Sequence, residues 1–122
     1  MKKMTIALLV LILGLLPAMG AMAAPVYKIG GIFSSTGRAS FLGDPEKKTM
    51  EMMVEKINAA GGIDGHMLEA VIYDSEGDPA KAVSAVNKLL HKDKVLAIIG
   101  PSTTPTTLAI VNFVERAQVP LI

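Results

Sequence analysis

Val95-Leu96-Ala97-Ile98-Ile99-Gly100-Pro101-Ser102-Thr103-Thr104-Pro105 decides how the rest of the chain is read. Its first five residues are apolar without alternation. A strand of that kind is covered on both faces, as in a parallel sheet, whereas a half-solvated antiparallel strand alternates. Gly100 and Pro101 end the strand. Three hydroxyl residues follow, and Thr104-Pro105 then has the form of a helix start. The stretch therefore predicts a strand, a short hydroxyl-rich loop and a helix in direct succession.

Working outward, the same alternation recurs. On the N-terminal side, Pro79 to His91 carries Val83, Val86, Leu89 and Leu90 on one helical face. Leu68 to Tyr73 is an apolar strand. Pro45 to Ala60 places Met50, Met53, Val54 and Ile57 at i, i+3, i+4 and i+7, one face of a helix. Gly61-Gly62 stops that helix and Gly65 closes the turn. Val26 to Phe33 is the first strand, with Gly30 and Gly31 marking close backbone approach inside it. On the C-terminal side, Pro105 to Ala117 turns Ile110, Val111 and Val114 inward, and Val119 to Ile122 begins a fourth strand. The fold class is α/β: a Rossmann-like parallel sheet with right-handed crossovers and flanking helices.

Asp44-Pro45, Asp78-Pro79 and Thr104-Pro105 each set a capping oxygen before a proline, which loses no hydrogen bond at the first helical position. Gly43-Asp44-Pro45 and Gly77-Asp78-Pro79 repeat after about 34 residues, the period of some helical arrays. A strand lies inside that period, so it is the length of one strand-helix unit. Ligands of such sheets bind beyond the carboxyl ends of the strands. Three loops qualify: Ser34 to Gly43, Asp74 to Asp78, and Gly100 to Thr104.

The 122 residues are 51% hydrophobic. Much of that excess lies in residues 1–23. Met1-Lys2-Lys3 is basic, Ile6 to Leu16 is apolar but for Gly14, and Ala21-Met22-Ala23 is an A-x-A cleavage pattern. This is the order of a secretory signal peptide cut after Ala23, and the apolar core is short for a membrane span of ~20 residues. With residues 1–23 removed, the formal charge moves from +1 to −1, ten basic against eleven acidic residues, because Lys2 and Lys3 leave with no acid. Nothing in that balance calls for nucleic acid as a partner. The chain has no cysteine, which is compatible with an oxidising compartment.

Several chemistries fail on spacing. Gly31 and Gly37 enclose five residues and are followed by Arg38-Ala39, so the phosphate-loop pattern is absent, as are G-x-G-x-x-G and the G-x-S-x-G elbow. His66 and His91 are not paired with acids at metal-ligand spacing; His91 with Lys92 suits a helix C-terminus. Asp74, Glu76 and Asp78 make an acidic loop, best explained as a solvated turn capped by Asp78. Met50, Met52, Met53 and Met67 are expected as core fillers. No catalytic constellation, metal site or cofactor is expected. The hydroxyl cluster Ser102, Thr103 and Thr104 is the most informative site. It lies where free N–H groups at a helix start favour an anion such as a carboxylate. Capping by Thr104 accounts for one hydroxyl but not for three. Ser34-Ser35-Thr36-Gly37 is expected on the same edge, with Phe41 and Leu42 as an apolar wall.

The chain resembles the N-terminal part of the periplasmic leucine/isoleucine/valine-binding protein family, substrate-binding subunits of ABC transporters with the type I periplasmic fold. The resemblance rests on Ile29–Gly37 (I-G-G-I-F-S-S-T-G), Gly43-Asp44, Ile57–Gly65 (I-N-A-A-G-G-I-D-G), Tyr73–Ala82 and Ala97–Thr104 (A-I-I-G-P-S-T-T). It implies two α/β lobes closing over a ligand. It also implies that a hydroxyl four positions after the glycine ending the third strand, here Thr104, binds an amino acid, with backbone around Thr103 lining the cleft. The residue before Gly43-Asp44 is often an aromatic that touches the ligand; here it is Leu42. The expected organisation is a signal peptide over residues 1–23 and a portion of lobe 1 over 24–122, truncated in the fourth strand. The expected ligand-binding residues are Thr104, Thr103, Ser102, Leu42 and Thr36. The expected function is capture of a branched-chain or related amino acid, or a small carboxylate, in the periplasm, with a membrane permease as partner and no enzymatic step. The alternative is a ligand-sensing domain of a receptor or regulator with the same fold.

Overall fold

A computed structural model describes residues 25–122; the expected export signal, residues 1–23, lies outside them. The elements run β1 (Tyr27–Phe33), α1 (Ser40–Ala59), β2 (Leu68–Asp74), α2 (Pro79–Asn87), a π-helical segment (Lys88–Asp93), β3 (Ala97–Ile99) and α3 (Thr104–Ala117). The sheet order is β2-β1-β3. Both pairings are parallel, with Tyr27 opposite Leu68 and Phe33 opposite Asp74 on one side, and Ile29 opposite Ala97 on the other. Leu121 bridges to Ile98 in parallel, and the Gly100 amide donates to the Ile122 carbonyl at 2.8 Å. The expected fourth strand thus begins on the outer side of β3.

Alternation along β1 sends its side chains to two helical layers. Ile32 joins Ile98, Leu89, Val86, Ile110 and Val114 in the main core, between the sheet and helices α2 and α3. Phe33 and Met50 are buried on the opposite face, against α1. Gly30 and Gly31 admit both layers at one point of the central strand. A Cβ on Gly30 would meet Leu89 Cδ1 at 2.9 Å, and one on Gly31 would meet Met50 Sδ at 2.9 Å. Burying Leu89 completely contributes about 1.5–3 kcal/mol.

The Ile57–Gly65 motif has a structural job. The Asn58 amide donates to the Leu68 carbonyl at 2.9 Å and its oxygen accepts the Leu68 N–H at 2.7 Å, standing in for a strand neighbour. Gly61 and Gly62 have φ of 101° and 78°, and a Cβ on Gly62 would overlap the His66 carbonyl.

Four sequence expectations need correction. First, α1 starts at Ser40 and not at Pro45, so Asp44 is not its cap and Pro45 lies inside it. Gly43 permits this: without a Cβ it lies directly on the Ser34 backbone, and the chain is already helical there. Asp44 instead pairs with Lys48 at 2.6 Å, one turn on. Second, Thr103 and not Thr104 occupies the cap position of α3, and Val111, expected to face inward on that helix, is exposed. Third, the second helix continues past His91 to Asp93 by widening into the π-helical segment. Tyr73 fastens that widened turn, its hydroxyl donating to Asp93 Oδ2 at 3.0 Å while Lys88 Nζ stands 5.2 Å from its ring centre. Fourth, Met50 alone among the expected methionine fillers is buried. Met53 lines an apolar cleft of about 730 Å³ between α1 and the β3 side of the sheet. Met52, off the helical stripe, and Met67 are exposed. The Asp78 cap stands as expected, its carboxylate accepting the Lys81 N–H at 3.0 Å.

Candidate ligand site at the carboxyl edge of the sheet

The order β2-β1-β3 means that the chain leaves β1 toward one edge and crosses over to reach the other. α1 covers one face, while α2 and α3 cover the opposite one. The chain therefore leaves β1 and β3 toward opposite faces of the sheet, and a switch point of this kind is where such sheets bind ligands.

Gly100 sets the geometry of the β3–α3 loop. Its φ is 97°, and a Cβ would overlap the Ile32 carbonyl, so only glycine lets the loop cross this closely over β1. The next peptide bond, Gly100-Pro101, is cis. Ser102 lies on the end of β1. Its Oγ accepts the Ser34 N–H at 3.0 Å and donates to Glu46 Oε2 on α1.

The other two hydroxyls of the cluster differ sharply. Thr103 is extended at the cap position, but its side chain makes no capping bond. Its Oγ1 pairs with Thr106 Oγ1 at 2.8 Å, and its carbonyl accepts from Thr106 Oγ1 at 2.7 Å and from the Thr107 N–H at 3.0 Å. Thr104 is exposed on the first turn of α3, and its hydroxyl has no partner among the described residues. An uncapped helix start with a free hydroxyl and no acid in its first turn is suited to hold an anionic oxygen. Among the described residues no acid or histidine is hydrogen-bonded to Thr104.

Thr36 lies elsewhere. The loop after β1 divides, with Ser34 meeting the β3 side and Thr36 meeting the β2 side. Thr36 Oγ1 donates to Asp74 Oδ2 at 2.6 Å, on a polar recess shared with Ser35 and Lys47. Partial burial pushes the Asp74 carboxyl up. The hydrogen bonds from Thr36 Oγ1 and from the N–H groups of Glu76, Thr36 and Ser35 outweigh it, and the group ends below the ordinary carboxylate range. Asp74 and Asp78 serve the turn, and Glu76 pairs with Lys81 at 2.6 Å. Ser34 is not part of the site either. It is fully buried, its Oγ 3.2 Å from the equally buried Ser75 Oγ. Leu42, 41% exposed, and Phe41, 73% exposed, stand on the first turn of α1 and give that end of the helix an apolar surface.

Sequence reasoning missed Glu46. It sits inside a helix and 56 residues from its partner, and no spacing rule connects the two. Among the described residues there is no cluster of His, Asp or Glu placed to hold a metal, and no helix long and apolar enough to cross a membrane.

Comparison with known proteins agrees with this architecture. A family model described as "Periplasmic binding protein" matches residues 26–122. The leucine-, isoleucine-, valine-, threonine- and alanine-binding protein of Pseudomonas aeruginosa is 40% identical over 91 residues, 71% of this chain and 24% of that protein. Leu/Ile/Val-binding protein homolog 7 of Brucella abortus is 32% identical over 120 residues, 98% of this chain and 29% of that protein. Among solved structures, the branched-chain amino acid transporter substrate binding protein LivJ from Streptococcus pneumoniae, in complex with isoleucine, superposes with a TM-score of 0.77 at 39% identity. The match covers 80% of this chain and 28% of that one. The chain thus spans between 24% and 29% of the length of these relatives. By the family match across residues 26–122, the chain belongs to the periplasmic binding protein family.

Proposed function

We propose that the protein carrying this chain is the extracytoplasmic substrate-binding subunit of an ABC transporter, which captures a branched-chain or related amino acid for import. The observation that carries the reading is the exposed, unpartnered Thr104 hydroxyl at the uncapped start of α3, the helix that follows β3 at the carboxyl edge of the sheet. A ligand carboxylate finds there a hydroxyl donor and helix N–H groups without a fixed counter-charge, which suits reversible capture. Thr103 contributes backbone at the same helix start. Ser102 sets the loop, and Leu42 supplies apolar surface toward a ligand side chain. Thr36, tied to Asp74, shapes the neighbouring recess and meets the ligand least directly. Relatives named for leucine, isoleucine and valine, and one solved with isoleucine, support an aliphatic amino acid as ligand. Residues 1–23 act as the export signal, and the periplasm is the site of action. The partner is a membrane permease, to which closure of the protein over its ligand signals loading. No bond is made or broken.

Calorimetry on the full gene product with leucine, isoleucine, valine and a panel of other amino acids and small carboxylates tests this. Binding of at least one aliphatic amino acid is expected, and absence of heat across the panel refutes the reading. Thr104→Ala is expected to weaken that binding by about 1–3 kcal/mol with an unchanged melting temperature, since the hydroxyl has no partner within the fold. Unchanged affinity with a lower melting temperature would instead make Thr104 a structural residue.

A further inference from the structure

Ser102 Oγ is a junction whose polarity is fixed by its neighbours. The Ser34 amide can only donate to it, so one lone pair is taken. The Glu46 carboxylate can only accept, so the single hydroxyl proton points to α1. Three elements meet at that oxygen: the end of β1, the loop after β3 and the first half of α1. Glu46 is available for this. Its sequence neighbours Lys47 and Lys48 are paired with Glu51 at 3.8 Å and Asp44 at 2.6 Å, and Glu46 makes no ion pair among the described residues. A bond to an ionised acceptor is the stronger kind of hydrogen bond, and its loss frees the serine rotor. Ser102 is two residues ahead of Thr104, on a loop that meets β1 also at Gly100 and is held from α3 by Thr107 Oγ1 on the Pro101 carbonyl at 3.3 Å.

We infer that Glu46 is a positioning residue for the ligand site: acting through Ser102, it fixes where the start of α3, and with it Thr104, stands relative to β1 and α1. Glu46 itself touches no ligand in this account. The inference rests on the binding reading above, and it also predicts a ligand-free signature, protection of the Ser34 amide from hydrogen exchange.

The test measures aliphatic amino acid affinity, melting temperature and Ser34 amide exchange in the full gene product. The variants are Glu46→Ala, Glu46→Gln, Ser102→Ala and the double Glu46→Ala/Ser102→Ala. Each alanine variant is expected to weaken binding roughly three- to thirtyfold, and the double to be no weaker than the worse single, since both break one linkage. Glu46→Gln keeps an acceptor for Ser102 and is expected to recover most of the affinity that Glu46→Ala loses. Ser34 exchange should rise in Glu46→Ala and Ser102→Ala and fall back in Glu46→Gln. Losses that multiply in the double variant overturn the inference. So does a Glu46→Gln no better than Glu46→Ala, or a melting temperature that drops while affinity and Ser34 exchange stay put. If the unmutated protein binds no amino acid, the binding reading fails, and Ser34 exchange alone decides whether Glu46 positions the loop.

Discussion

Gly43→Ala is the substitution whose sign is most at odds with ordinary expectation. Inside a helix, replacing glycine by alanine stabilises by about 1 kcal/mol, and Gly43 is the fourth residue of α1. The structure reverses that. A Cβ at Gly43 would overlap the Ser34 carbonyl group and lie 2.5 Å from the Ser34 nitrogen. The obstacle is backbone, so no rotamer change relieves it, and α1 must retreat from the end of β1. Overpacking of this kind costs about 1–3 kcal/mol, and rigid neighbours put it at the upper end. The retreat also stretches the Glu46–Ser102 bond, about another 1 kcal/mol. Against the helical gain, the net expectation is a loss of about 3 kcal/mol. Gly61→Ala is the comparison. Nothing lies within 4 Å of a Cβ there, and only its φ of 101° resists a side chain, a cost of about 1–2 kcal/mol. Urea unfolding of the full gene product, with the slope checked for constancy, ranks the two. A midpoint for Gly43→Ala equal to or above that of the unmutated protein, or above that of Gly61→Ala, would refute the packing argument.

Two further outcomes are expected. Asp78→Ala removes the acceptor for the Lys81 N–H and should cost about 1 kcal/mol in the same unfolding assay, whereas an unchanged midpoint would show that water replaces the cap fully. Asp74 has a native pKa below its ordinary value, so the stability it adds is fully present above the ordinary carboxylate range and is lost as the pH falls through the lowered value. Thr36→Val removes the strongest of the bonds that lower it. NMR titration of the Asp74 carboxyl should then show its midpoint rise, and an unmoved midpoint would mean the backbone donors suffice.

The order of strands and helices was legible because each strand is a short apolar run and each helix has an apolar stripe, patterns that survive without tertiary information. The Asp78 cap was legible for the same local reason. The start of α1 was not. Asp44-Pro45 has the local form of a cap, but Gly43 against Ser34 is a contact between elements, and it lets the helix begin five residues earlier. The hydroxyl cluster was found as a group, but its internal division was hidden. Thr103 turns back on Thr106, Ser102 reaches across to Glu46, and Thr104 is left over, distinctions that depend on where the neighbouring elements end. Thr36 was grouped with the site because it is two residues from Ser34. The split of that loop toward opposite neighbours follows from sheet order, which local sequence does not specify.

The buried pair Ser34 and Ser75 has a consequence for the surroundings in which the protein would work. Ser75 Oγ also reaches the Phe33 carbonyl at 3.3 Å, so the buried part of the joint between the tops of β1 and β2 is made of hydroxyls and backbone, while its exposed part is the Thr36–Asp74 bond. None of the buried groups gains or loses a proton between mild acid and mild alkali, and none is an ion that salt can screen. A compartment open to the outside medium imposes both kinds of change on whatever it holds. The buried half of that joint is made of polar contacts that such changes leave alone, so drift in acidity or salinity reaches the exposed ion pairs and the Asp74 carboxylate first and the buried hydroxyl pair last.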